Sequence, residues 1–355
     1  MERFSSAHHR RHFYFWITGV LLLVALLGVS LSFGSVKIPI GEVSSILLDR
    51  SEYENQGLAN IIWSIRFPKA LTAVLAGAAL AVAGLQMQTL FRNPLADPFV
   101  LGVNSGASLG VAIVVLITGP GLASLLSGMG VAGNYAVVVA SSLGSAMVLT
   151  LIMVLSFRVD LMTLLIVGLM MGYATSALVM VLVFFAIPER LQTFFAWGYG
   201  NLSHVTWDQI SIFAPVVVLG ILMAWIAGKA MNAFLLGEAY ARSMGVSIIK
   251  WRTWVLISTS LLTGVVVGFC GPVGFIGVAV PHLCRSMFQT SDHRILYPAV
   301  ILYGGLLTLM ADFIAQLPGS RLVLPLNSIT SLIGAPVVIW ILLGRRSLRS
   351  AFGNG

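Results

Sequence analysis

Groups able to do acid–base or nucleophilic chemistry are scarce among the 355 residues, and the few present do not cluster in the sequence. Asp312 is the one acid placed well inside an apolar run, and His282 follows Pro281 in VAVPHLCRS. Ionisable groups at such depth mark functional sites by default. An acid and a histidine 30 residues apart nevertheless make a poor catalytic pair, and no HExxH, paired carboxylates or Ser–His arrangement accompanies them. Asp312 is therefore expected to bond a neighbouring helix or a backbone group. Cys270 and Cys284 both fall in apolar segments and read as packed free thiols, with no metal-ligand set around them. The lone GK at Gly228–Lys229 runs on into Ala230 without an upstream phosphate-binding loop. By that route the chain hydrolyses no ATP. An intramembrane enzyme lacks a catalytic pair here, and an ion-coupled secondary carrier would need more buried charge. If the chain takes part in active transport, the energy must come from another polypeptide.

The elements that must position these groups are set by lipid. Charged residues make up 9% of the chain and hydrophobic ones 58%, against roughly 25% charged in soluble domains. The excess of eight basic over acidic residues reports orientation in such a chain, not nucleic-acid binding. Residues 13–36 form a charge-free run of 24 after a basic start, long for a signal core and long enough to span. Splitting the other charge-free runs at TGPGLA, GMGVAGN and CGPVG predicts ten spans: 13–34, 66–88, 98–118, 134–156, 162–186, 208–228, 252–271, 275–289, 296–316 and 327–344. Pro272 is expected to end one helix before the next begins. With both termini cytoplasmic, fourteen Lys and Arg lie inside and six outside, as the positive-inside rule requires. The predicted fold is thus all-α, a single polytopic membrane domain over residues 1–355.

Two polar excursions interrupt it. Residues 187–207, IPERLQTFFAWGYGNLSHVTW, mix charge with aromatics at helical spacing and predict a short interfacial helix outside. The cytoplasmic connection around 229–251 predicts one or two short helices, with Glu238 and Arg242 four apart. Small residues recur at every fourth position as Gly102, Gly106 and Gly110, as Ala73, Gly77 and Ala81, and as Gly264 and Gly268. Close helix packing is the ordinary reading of such stripes. Asn104, Ser105, Ser108, Tyr173, Thr175, Ser176, Asn327, Ser328, Thr330 and Ser331 add weakly polar, uncharged groups suited to lining a path for a bulky solute. The small-residue pattern of 66–91 resembles that of 252–277, which predicts an inverted repeat.

At NPLADPFVLGVNSGASLG (93–110), GPVGFIGVAVPHLCR (271–285), DHRILYPAVILYGG (292–305) with Ala311–Asp312, and SLIGAPVVIWILL (331–343), the chain resembles the iron-chelate and cobalamin ABC-importer permeases. The resemblance runs in order from about residue 14 to 345. It implies a ten-span subunit, paired with an identical or related permease around a central path. Two cytoplasmic ATPase subunits, which bind ATP and Mg, lie below, and a binding protein delivers cargo from outside. No cofactor is implied in this chain. It further implies an inner-membrane location and a ferric siderophore as the leading cargo, with haem or cobalamin as alternatives. Carried over by motif, Asn93 and Leu95 form an inner gate with Leu161 and Met162 as its second layer. Arg66, Lys69 and Arg321 dock the binding protein, and Glu238, Ala241, Arg242 and Gly245 couple to the ATPase.

Overall fold

The computed structural model describes residues 2–34, 36–48, 55–118, 133–203, 205–316 and 323–344, and among these there is no strand. The first helix, α1 (Glu2–Ser32), is followed by α2 (Ile40–Leu48) and α3 (Gln56–Ile61). A π-helical turn over Ile62–Arg66 joins α3 to α4 (Phe67–Leu90). After the turn 91–97 and a 3₁₀ turn over Pro98–Leu101 comes α5 (Val103–Ala112), extended by a π-helical stretch to Thr118. The chain continues as α6 (Gly133–Ser156), α7 (Leu161–Phe184), α8 (Pro188–Gly198) and α9 (Trp207–Leu235). It ends with α10 (Glu238–Ser243), α11 (Ile248–Cys270), α12 (Ile276–Phe288), α13 (His293–Ala315) and α14 (Leu326–Gly344).

Helix α4 is the centre because its residues are small. It reads FPKALTAVLAGAALAVAGLQMQTL, and α9, α11, α12 and α13 all pack on it. Nearly all of α4 is buried, whereas most of α7 is exposed, so α4 faces protein while α7 faces outward. A Cβ placed on Gly77 would lie 2.1 Å from the Gly304 carbonyl oxygen of α13, and one on Gly84 would lie 1.9 Å from that of Gly277 in α12. No side chain fits at either crossing. A second group forms where α5 packs on α6 and α7, with Gly106 and Gly144 in mutual close approach. Contacts between α6 and α11 join the two groups. The small-residue stripes therefore serve helix packing.

A helix stands at each place where charge-free runs predict a span, but the helices are unequal. Seven described helices are long and apolar enough to cross a membrane, and the apolar stretches 103–117 and 326–339 are shorter. At the predicted span 275–289 stands α12, whose 13 residues reach about 20 Å at 1.5 Å per residue, against a hydrocarbon core of ~30 Å. Eight of those residues are buried, so its apolarity reflects packing inside the protein. Pro272 does break the chain, and Gly271 beside it takes a φ of 72° where a Cβ would meet the Trp197 carbonyl. The predicted outer helix is present as α8, whose Phe194 is buried. In the 229–251 connection α9 runs on to Leu235, leaving α10 as the single separate helix.

Candidate functional site

The turn that follows α4 is held from several sides. Asn93 Oδ1 accepts the Leu95 N–H at 2.9 Å, and Asp97 Oδ1 accepts that of Phe99 at 2.8 Å. These side-chain caps, with Pro94 and Pro98, give the turn one shape. Its seat is α12. His282 Nε2 lies 2.9 Å from the Pro94 carbonyl oxygen, and Gln88 Nε2 donates to the Val278 carbonyl at 3.2 Å. Arg285 Nη1 in turn donates to Gln88 Oε1 at 2.5 Å. Asp97 is buried against Gly277, where a Cβ would sit 2.8 Å from its Oδ2. Burial pushes its carboxyl up to about 6, opposed by the Phe99 N–H bond. Leu95 at the tip remains exposed, with Asn93 half-buried beside it.

The second turn expected at the gate lies between α6 and α7. Asp160 caps α7 by accepting the Thr163 N–H at 2.8 Å and the Thr163 hydroxyl at 3.0 Å. Those bonds hold its carboxyl below the ordinary carboxylate range. Met162 is exposed, whereas the Leu161 side chain lies outside the described residues. From Met162 an exposed face continues through Ile166, Leu169, Tyr173 and Met180. Near its far end Ser176, Ala177, Met180, Val181, Phe184 and Phe185 line a concavity of about 480 Å³.

The expected path-lining residues divide. Tyr173, Ser176 and Ser328 are exposed, and Asn104, Ser105 and Ser108 are half-buried. Asn104 Oδ1 is buried without a partner. Thr175 is a correction: it is buried, and its hydroxyl donates to the carbonyls of Met171 at 2.8 Å and Gly172 at 3.1 Å. A threonine can satisfy its own hydroxyl on the preceding turn, so polarity alone does not make it a lining residue. Asn327 Oδ1 accepts the Gly274 N–H at 3.0 Å, and the Asn327 backbone N–H donates to the Tyr199 carbonyl at 3.1 Å. The Thr330 and Ser331 hydroxyls donate to its carbonyl at 3.1 and 2.6 Å.

The outer basic residues also depart from expectation. Lys69 Nζ lies 3.0 Å from Asp312 Oδ1, joining α4 to α13, and Gln316 Nε2 donates to Asp312 Oδ2 at 2.8 Å. Arg66 donates to the Leu31 carbonyl at 2.5 Å and to that of Val36. Both side chains are buried, each residue being 9% exposed, and their donors turn inward. This geometry does not present them to a docking protein. Arg321 lies outside the described residues. Asp312 does bond a neighbouring helix, as its isolation in the sequence predicts.

In the 229–251 connection, Glu238 pairs with Arg252 at 2.9 Å and not with Arg242, which is exposed. Ala241 is fully buried and anchors α10, while Gly245 takes a φ of 80° in an open turn. Leu236, Tyr240 and Met244 are large, apolar and more than half exposed. These three went unmarked in the sequence, although their four-residue spacing in a polar connection is a readable signal. Arg252 and Gln88 carried no signal, since their partners lie 14 to 197 residues away. Among the described residues no cluster of three or more His, Cys, Asp and Glu stands ready for a metal ion.

The model of the FecCD transport family matches residues 21–344. A vitamin B12 import system permease protein, BtuC, from Klebsiella pneumoniae is 36% identical over 336 residues, covering 93% of this chain and 94% of that protein. The BtuC of Shigella boydii is 35% identical over 331 residues, covering 92% and 94%. Among solved structures, a metal-chelate type ABC transporter in an inward-facing conformation has a TM-score of 0.80 at 26% identity, covering 93% of this chain and 98% of that one. PsaBC from Streptococcus pneumoniae, at 14% identity and a TM-score of 0.52, shares the fold alone. A family match over most of the length, joined to relatives of this similarity, places the chain: it belongs to the FecCD transport family as a membrane permease subunit of an ABC importer.

Proposed function

We propose that the chain is the membrane permease of an ATP-driven cobalamin importer of the bacterial inner membrane. The observation that carries the cargo is the near full-length similarity to vitamin B12 permeases, at 35–36% identity. It moves cobalamin ahead of the ferric siderophore that family frequency favours. A second reading, a ferric chelate, draws support from the metal-chelate type transporter whose fold overlaps most of the chain.

In this reading two permease copies meet along the exposed face of α7, with the turns at 93–98 and 157–162 closing the cytoplasmic end between them. A desolvated, uncharged lining lets a large solute pass without strong binding sites. The exposed Leu236, Tyr240 and Met244 offer apolar anchors to a cytoplasmic ATPase, which supplies the energy. Both termini lie in the cytoplasm. A binding protein docks outside, with Arg321 the remaining candidate of the three basic residues. Uptake of labelled cyanocobalamin and of a ferric hydroxamate into proteoliposomes holding the full complex separates the two cargoes. Cyanocobalamin uptake at a rate above the hydroxamate supports the reading, and uptake of the hydroxamate alone overturns it.

A further inference from the structure

We propose that Arg252 and His293 are positioning residues, two buried struts that tie the coupling segment to the two turns at the cytoplasmic mouth. The inference rests on the transport reading above and concerns how movement at α10 reaches the gate. Arg252 stands in the first turns of α11 and is 8% exposed. Its Nη2 donates to Glu238 Oε1 at 2.9 Å, at the first residue of α10. Its Nη1 donates to the Ser156 carbonyl at 3.0 Å and the Val159 carbonyl at 3.4 Å. One planar guanidinium therefore grips the coupling helix with one nitrogen and the turn ahead of Leu161 and Met162 with the other. The fork is rigid, and a lysine cannot serve both ends at once.

The second strut serves the other turn. Asn232 lies three residues before the end of α9, where the chain passes into α10. Its Oδ1 accepts the His293 backbone N–H at 3.0 Å and lies 2.7 Å from His293 Nδ1, and its Nδ2 donates to Asp292 Oδ1 at 2.7 Å. A carbonyl oxygen holds no proton, so Nδ1 carries the hydrogen and Nε2 accepts. What it accepts is the hydroxyl of Thr89 at 3.0 Å. Thr89 is the penultimate residue of α4, and its own carbonyl accepts the Arg92 N–H that starts the gate turn. The path runs from the coupling segment through Asn232 and His293 into the end of α4.

Directional polar bonds suit this task better than apolar packing does. A buried hydrogen-bonded pair has no water to replace its partners, so it holds its geometry or breaks. A shift of α10 is passed on as a discrete displacement of both turns, the kind of two-state element that long-range coupling needs.

The test uses the full complex in proteoliposomes, with cyanocobalamin as cargo, and reads cargo moved per ATP hydrolysed. Arg252→Gln and Thr89→Val are each expected to lower that ratio about fivefold or more while the ATPase still turns over. Thr89→Ser restores the hydroxyl and is expected to restore the wild-type ratio. Arg252→Lys is expected to fall between, and it carries the test if Arg252→Gln does not reach the membrane. Variants with a lowered melting temperature but the wild-type cargo-per-ATP ratio would show these bonds to be structural only and overturn the proposal. A wild-type complex whose uptake ignores ATP would instead overturn the transport reading itself.

Discussion

At the scale of single residues, the buried ionisable groups do structural work that can be measured. Lys69 and Asp312 are paired at 3.0 Å with side chains 11% and 6% exposed. Removing one partner leaves a lone charge in a dry place. Lys69→Leu or Asp312→Leu alone is expected to cost about 3–5 kcal/mol, and the double variant far less, read as detergent-solubilised unfolding in a double-mutant cycle. Additive losses would contradict the pairing. Asp97 adds a pH dependence. Its folded-state value of about 6 lies above the ~3.9 of an unfolded aspartate, so between those values the native state holds the extra proton. The contribution of Asp97 to stability is then fully present below about pH 4 and is lost as pH rises through 6, by up to about 3 kcal/mol. Asp97→Asn keeps an acceptor for the Phe99 N–H and is expected to flatten this slope. A slope identical to wild type would remove Asp97 as its source.

At the scale of elements, helix contacts follow from where side chains are absent. Gly84 touches Gly277 so closely that even a methyl group has no room. Gly84→Ala is expected to destabilise the fold by about 3 kcal/mol or more, whereas Gly41→Ala, which meets nothing within 4 Å, is expected to change little. Equal melting temperatures for the two variants would contradict the packing described. This element scale was largely legible beforehand, because an unbroken charge-free run in so apolar a chain has few places to be. The burial of α12 inside the protein was not legible, because apolarity cannot distinguish a helix buried in protein from one facing lipid. Thr175 was misplaced because a threonine's polarity does not say which way it points or whether its hydroxyl is already satisfied. The partners of Arg66 and Lys69 at Leu31, Val36 and Asp312 were not legible, because they come from distant segments. The turn at 93–98 stood out through its prolines and Asp97, yet its seat on His282 and Gln88 needed the fold.

At the scale of the whole molecule, the chain holds few groups able to react and many able to move together. The turn at 93–98 has Leu95 at its exposed tip, and Cys270 and Cys284 are buried at 1% and 0% exposure. A single Leu95→Cys substitution therefore adds the one accessible thiol among the described residues. Oxidation is expected to link two permease copies and stop uptake, and reduction to restore it. Transport undiminished through the crosslink would place Leu95 away from the gate. The central claim is that this subunit does no chemistry and moves cargo only when an ATPase works on its 236–244 segment. Its most direct test is cyanocobalamin accumulation in proteoliposomes containing the permease and binding protein, with and without the ATPase subunits and ATP. Accumulation only when ATPase and ATP are both present is the predicted result. Accumulation by the permease without them would contradict the account.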